Sequence, residues 1–468
     1  MGNLQKLDTI AKANGGNRAF GLPGYAASVE YILSRTANSS DFVTWVQDFP
    51  ALFFRVESIK FSVANSSYHV IGFSYSPSTA KEGVTSPIVL GPTGDAGCTN
   101  ESYDDLDVEG KIVLLQRGLC PDATTFAGRV RPAAAAGAAA VLIYATDDLP
   151  VTGGTLNSAD REKYVSAGYI NKADGEALVA RIQAGETIEA YFQQTQIVET
   201  RITQNVFTET KGGDPNNVIM LGAHLDSVQA GAGINDDGSG TSLILEVKTA
   251  LEKFRVKNKV RFAWWAAEEN GLLGSKYYTQ SLNATAANNI LTYLNFDMVS
   301  RGYFGVFDGD GSTHNLTGAP GSDVIEKLFV QDLTSKGINV TAARFTGGSD
   351  YQSFMNIGKP VGGLHTGTGV EQDPCYHQAC DTIDNPNPTT LTVNAKVRIQ
   401  CSAVCRKANE LYQTVAHVLS ILATKGTEII PQSPVNATMI TSRGLIGREI
   451  EWTKGGTEER HVVCGNNI

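Results

Sequence analysis

Apolar positions fall along the chain in two textures. From about Asn205 onward, short, largely apolar runs alternate with longer stretches of helical periodicity. Val218–Ala223 is continuously apolar, the mark of a strand buried on both faces, and Val260–Trp265 and Leu291–Phe296 read as further buried strands. After the first, Leu243, Ile244, Val247, Ala250, Leu251 and Phe254 recur at helical spacing and predict a helix over Thr241–Phe254. Strands alternating with helices predict an α/β fold with a mostly parallel central sheet between helical layers. From about Phe53 to Thr200 the runs shorten to Lys60–Val63, His69–Phe73, Pro87–Leu90, Lys111–Leu115 and Val141–Tyr144. A small-residue helix is predicted at Arg129–Ala140, and the stretch as a whole reads as a compact α/β insert. Residues 1–50 read as helical, with apolar residues at helical spacing over Tyr25–Ser34 behind the Gly21–Gly24 turn.

Length and charge narrow the picture. At 468 residues, two folded units are expected. A formal charge of -10 argues against nucleic acid as the main partner, because phosphate binding needs a basic face. The longest apolar stretch, Ala133–Ala145, is too short for a membrane span. The first residues lack the apolar core of a signal peptide, which read literally means cytosolic. Seven cysteines and seven Asn-X-Ser/Thr sequons (Asn38, Asn65, Asn100, Asn283, Asn315, Asn339 and Asn436) point instead to a secreted or vacuolar glycoprotein whose leader is missing.

Five polar clusters carry candidate chemistry. Ala223-His224-Leu225-Asp226-Ser227 ends a buried run, and Gly233-Ile234-Asn235-Asp236-Asp237-Gly238 leads into the predicted helix. Trp265-Ala266-Ala267-Glu268-Glu269 and Asn295-Phe296-Asp297 end two further runs, and Cys375-Tyr376-His377-Gln378-Ala379-Cys380 is the fifth. Histidine with carboxylate suits a borderline-soft ion such as zinc. Asp226 stands where it can hold the His224 imidazole by its second nitrogen. Adjacent Glu268 and Glu269 can divide between moving a proton and binding metal. Each cluster alone reads as a strand-end polar residue, a solvated pair or an Asp-rich turn. Five on the loops of one α/β unit do not.

The segments GAHLDS, GAGINDDGSG, RFAWWAAEENGLLGSKYY, YLNFDM and CYHQACD resemble the signature set of the clan MH co-catalytic zinc aminopeptidases, the group of secreted leucine aminopeptidases and aminopeptidase Y. The early IAKANGGNRAFGLPGYAASVEYI resembles the first helices of that domain. The resemblance implies a three-layer α/β/α zinc exopeptidase domain and two zinc ions per subunit. It implies one ion on His224 and Asp297, the other on Glu269 and His377, and Asp236 between them, with Glu268 as general base. Tyr376 is implied as a donor to the oxyanion, and Asp381 has a weaker claim to a supporting role. Peptide or protein N-termini with a Leu-like first residue are the expected substrates, and a monomer is expected.

KIVLLQRGLC and FAGRVRPAAAAGAAAVLIY resemble an inserted protease-associated domain, whose usual role is substrate access or protein interaction. Disulfides Cys98–Cys120 and Cys375–Cys380 are implied with it. The expected division is therefore 1–52 as helical start of the peptidase domain, 53–200 as insert, 201–425 as the rest of that domain, and 426–468 as tail.

Two departures stand out. Gly347-Gly348-Ser349-Asp350 lacks the arginine of the family's Gly-Arg-Ser-Asp. Val397–Gln413 interrupts what otherwise reads as a smooth C-terminal helix, and its codons can be written with the marks of a retained short intron. The plainer reading is an amphipathic helical extension carrying Cys401 and Cys405. The alternatives to an aminopeptidase are a same-clan carboxypeptidase, which needs cations such as Arg261 or Arg301 at the site, and a non-catalytic binding protein.

Overall fold

The computed structural model describes residues 1–395 and 414–431, apart from 65, 123, 149, 150, 152 and 157. The questioned segment 397–413 and most of the expected tail lie outside the described residues. The described residues divide into two compact units, one of Met1–Ala51 and those from Arg201 onward, the other of Leu52–Thr200.

In the larger unit the strands run in the order Val340–Ala343, Phe304–Phe307, Val361–His365, Ile290–Phe296, Asp214–His224 and Asn258–Trp265, closed by Val206–Glu209. The pairings of Asp214–His224 with both its neighbours, and of Ile290–Phe296 with Val361–His365, are parallel. Antiparallel pairing occurs where Phe304–Phe307 meets Val361–His365, and where Val206–Glu209 meets Asn258–Trp265. The three runs are thus the adjacent central strands; Val218–Ala223 and Leu291–Phe296 are buried throughout, and Val260–Trp265 is buried except at the half-buried Arg261. Successive residues of one strand serve opposite faces. Tyr293 stacks on Phe354 at 3.9 Å between ring centroids, while Phe296 meets Phe329 at 6.4 Å. Helices therefore cover both faces, and the α/β/α architecture holds.

The smaller unit has its own sheet. Val84–Leu90, Ile112–Gln116, Ala140–Tyr144 and Ala167–Ile170 lie parallel and in that order. One buried cluster gathers around Phe73, Phe126 and Tyr169, another around Phe61, Leu142 and Phe192. The disulfide Cys98–Cys120 is formed, and buried Arg129 donates to the Gly118 and Gly94 carbonyls beside it.

Three sequence expectations change. The N-terminal segment is helical over Gly2–Ala13 and Pro23–Thr36, but Phe42–Val63 is one long strand. Its Phe42, Val43, Thr44, Trp45 and Val46 are strand formers, and Trp45 stacks on Phe207 at 5.2 Å. The alanine-rich helix stops at Ala135, because Gly137 takes φ +86° and turns the chain into the strand Ala140–Tyr144. The last described helix, Thr414–Ile429, runs past the expected domain end at 425. Among the described residues no helix is long and apolar enough to cross a membrane.

The central aromatic stack should dominate the larger unit's stability. Phe354→Ala removes a fully buried ring stacked on Tyr293 and is expected to cost about 3–5 kcal/mol in urea unfolding.

Candidate metal centre

The three central parallel strands bring their carboxyl ends together, and four of the five polar clusters lie there. His224 closes its strand, Glu268 and Glu269 follow Asn258–Trp265, and Asp297 follows Ile290–Phe296. Asp236 and Asp237, joined by a cis peptide, precede the helix Gly238–Leu251. Asp237 caps that helix through the Gly240 amide at 2.8 Å and also accepts from the His224 and Met298 amides at 3.1 Å. The helix start sits so close to the neighbouring strand end that a Cβ on Gly240 would lie 1.9 Å from the Phe296 carbonyl oxygen. His377 joins from the loop closed by the Cys375–Cys380 disulfide.

The distances divide the expected ligands into two groups that share one carboxylate. Asp236 Oδ1 lies 3.0 Å from His224 Nε2, and Asp236 Oδ2 lies 3.1 Å from His377 Nε2. His377 Nε2 is also 3.1 Å from Glu269 Oε2, while His224 Nε2 is 3.6 Å from Asp297 Oδ1. Glu268 Oε2 lies 4.0 Å from His224 Nε2. Three turns hold these groups in left-handed backbone: Ala267 at φ +54°, Met298 at φ +55° and His377 itself at φ +56°. Such conformations in non-glycine residues gather where surrounding structure fixes a site.

Supporting contacts run deep into the core. Trp265 Nε1 donates to the Tyr293 hydroxyl at 2.9 Å, and that hydroxyl donates to Asn295 Oδ1 at 3.1 Å. Asn295 Nδ2 donates to Ser349 Oγ at 2.9 Å, and Ser349 donates to Asp297 Oδ2 at 2.6 Å. On the other side, Asp381 accepts from the Asn235 and Asp236 amides at 2.8 and 3.0 Å and so fixes the shared carboxylate's backbone. Arg18 is completely buried and donates to the carbonyls of Leu225, Ala232 and Gly233, clamping two site loops.

Electrostatics follow from burying so many acids together. Burial lifts the Glu268 carboxyl well above its ordinary range; the His224 charge opposes this, and Asp297, Asp350 and Glu269 add to it. Burial likewise raises Asp237, Asp350 and Asp381, the last two to about 7. Burial works to lower His224, but Glu268, Asp226, Asp236 and Asp297 outweigh it and hold the imidazole well above its usual value. Glu269 Oε1 and Asp297 Oδ1 are buried with no hydrogen-bond partner. Two imidazoles, three carboxylates and orphaned oxygens among them fit divalent metal, and zinc is suited to this nitrogen and oxygen set.

All five residues expected from sequence to hold metal come together with Glu268, and both expected disulfides are formed. Asp226 departs from its expected geometry. The His224 Nδ1 faces the Asp226 carbonyl at 3.1 Å, with the carboxylate at 3.6 Å. That carboxylate is held by the Glu268 and Glu269 amides at 3.2 and 3.4 Å, so Asp226 positions both glutamates as well. The Tyr376 ring stacks on His377 at 3.7 Å. Arg261 is bound to Glu209 at 2.7 Å and Arg301 donates to the Asn385 carbonyl at 2.6 Å, so both cations named for the carboxypeptidase alternative have partners of their own. Sequence reasoning missed Arg18, Asp237, Asn295 and Ser349 as site-builders. Asp237 and Asn295 stood inside two of the polar clusters, whereas Arg18 and Ser349 carried no local signal as supports.

Comparisons with known proteins point to one family. Residues 205–401 match the model for peptidase family M28, and residues 84–178 match the PA domain. A probable leucine aminopeptidase 2 of Aspergillus fumigatus is 40% identical over 415 residues, covering 84% of this chain and 80% of that protein. A probable lipoprotein aminopeptidase LpqL of Mycobacterium tuberculosis is 39% identical, covering 84% and 82%. An aminopeptidase from Aneurinibacillus sp. strain AM-1 superposes with TM-score 0.71 at 26% identity, covering 93% of this chain and 94% of its own. BSAP, a zinc aminopeptidase from Bacillus subtilis, has the same fold, with TM-score 0.68 at 23% identity over 92% and 97%.

The serine link to Asp297 is open to test. Ser349→Ala should weaken metal retention by roughly 10–100-fold in competition with a chelator, while leaving the fold intact by circular dichroism.

Proposed function

The chain belongs to peptidase family M28 and is an aminopeptidase, and on that premise we propose that it works with two zinc ions and a glutamate base. Asp236 carries the reading, since each of its carboxylate oxygens faces a different histidine, as a carboxylate between two ions would. His224 and Asp297 would hold one ion, and Glu269 and His377 the other. A zinc pair supplies Lewis-acid polarisation of the scissile carbonyl and lowers the pKa of water.

The chain's own groups do the rest. Glu268 is buried and of raised proton affinity, so it takes a proton from the attacking water and returns it to the leaving amine. Tyr376, held against His377, donates its phenol hydrogen bond to the developing oxyanion. The buried acidic surface of Glu268 and Asp297 receives the substrate's α-ammonium, which restricts cleavage to N-termini. A hydrophobic, Leu-like first residue is the proposed preference, in keeping with the leucine aminopeptidase 2 relatives. Residues 53–200 are proposed as the insert that governs access, and a monomer of secreted or vacuolar location, glycosylated at its sequons, as the working form.

Glu268→Gln should lower kcat on a leucyl-anilide by about 10²–10⁴ or more with metal content unchanged. Chelator-treated protein should lose activity and regain it with two zinc ions per chain. Full activity at one ion, or activity surviving Glu268→Gln, would overturn the mechanism.

A further inference from the structure

The loop that carries Tyr376 and His377 is bound to the larger unit at both of its feet. Asp373 stands two residues before Cys375 and Asp381 one residue after Cys380, and both are buried. The Asp373 carboxylate accepts from the Cys375 amide at 3.0 Å and from Asn235 Nδ2 at 2.7 Å. The Asp381 carboxylate accepts from the Asn235 and Asp236 amides. One side chain joins the two acids. Buried Asn385 Nδ2 donates to Asp381 Oδ1 at 2.8 Å, and to Asp373 Oδ1 and Oδ2 at 3.0 and 3.3 Å. Asn385 is itself fixed, because its amide donates to the Thr382 carbonyl at 3.0 Å and its carbonyl accepts from Arg301 Nη1 at 2.6 Å. Asn235 ties the same group to the strand end beyond Asp297, since its Oδ1 accepts from the Ser300 hydroxyl at 2.6 Å.

We propose that Asn385 is the positioning residue of the His377 loop, tying both its feet to the turn that bears Asp236 and so setting His377 and Tyr376 at the metal centre. The Cys375–Cys380 bond closes the loop on itself, which leaves it able to move as one body. His377 adds a second demand. Its φ of +56° is unfavourable for a residue with a Cβ, and such a conformation lasts only where its surroundings hold it. The Asn385 nitrogen has two hydrogens, and each serves one buried carboxylate that would otherwise lose a donor. Removing that nitrogen frees both feet at once, whereas losing the Asn235 side-chain contact frees only Asp373. The inference rests on the two-zinc reading, because it links Asn385 to the ion on Glu269 and His377 rather than to the one on His224 and Asp297.

Asn385→Ala and Asn385→Asp test this in the zinc-loaded full chain; the aspartate keeps the shape but sets a third carboxylate between two. Each should weaken one zinc ion by about 10–100-fold in competition with a chelator and leave the other within about two-fold. The cobalt absorption of the ion that stays should match that of His377→Ala, and kcat on a leucyl-anilide should fall in step with zinc occupancy. Asn258→Ala is the control. It removes another buried side-chain amide, bonded to the Leu422 carbonyl at 2.9 Å at the far end of its strand from the site. It should lower Tm yet hold both ions as the parent does. Amide hydrogen exchange over residues 374–381, measured with chelator present, should be about ten-fold faster in the Asn385 variants than in the parent or in Asn258→Ala. Both ions weakened alike, both held as in the parent, or unchanged exchange would each overturn the proposal. A parent that holds a single ion would overturn the two-zinc reading instead, and the exchange rates would still uphold or overturn the role of Asn385.

Discussion

The structure is organised around the cost of burying acid. Asp226, Asp236, Asp237, Glu268 and Asp297 are all buried, and the Glu269 side chain is 7% exposed, around two histidines. An isolated buried carboxylate is strongly unfavourable, so each must find amide donors or a cation. Asp237 collects three backbone amides, Asp226 collects two, and Asp381 behind them collects the amides of Asn235 and Asp236. What cannot be met this way, Glu269 Oε1 and Asp297 Oδ1, points at the need for metal.

That constraint separates neighbours that look alike. Asp236 and Asp237 are adjacent, yet one faces two imidazoles and the other caps a helix. Glu268 and Glu269 divide similarly, with Glu269 on His377 and Glu268 standing 4.0 Å from His224. The left-handed turns at Ala267 and Met298 lie beside these groups and aim them. Strain of this kind is tolerable because the flanking strands are paired and their carboxyl ends are buried.

The legible part of the fold was the part with a period. Val218–Ala223 is a continuous apolar run and its two neighbours are largely apolar, as suits strands buried on both faces, so the three central strands and the acids at their ends could be read directly. Phe42–Val63 could not, because its exposed and buried positions mix without the clean alternation of a half-buried strand. The alanine-rich helix was legible as an element but not in its end, since alanine favours helix everywhere and only Gly137 marks the stop. Arg18 and Ser349 were illegible for a different reason. Arg18 clamps carbonyls more than two hundred residues away, and Ser349 reaches Asp297 across 52 positions. Nothing local distinguishes such residues from any other arginine or serine.

The missing arginine at position 348 can now be placed. The relay into Asp297 passes through Asn295 and Ser349, and the turn before it is held by the Tyr351 hydroxyl, which accepts from the Gly347 amide at 2.8 Å. Neither contact uses the side chain of residue 348. A glycine there leaves the hydrogen bonds that support Asp297 intact. Under the proposed mechanism the departure therefore does not reach the acid cage, whose Asp297 is held by a serine and an asparagine rather than by residue 348.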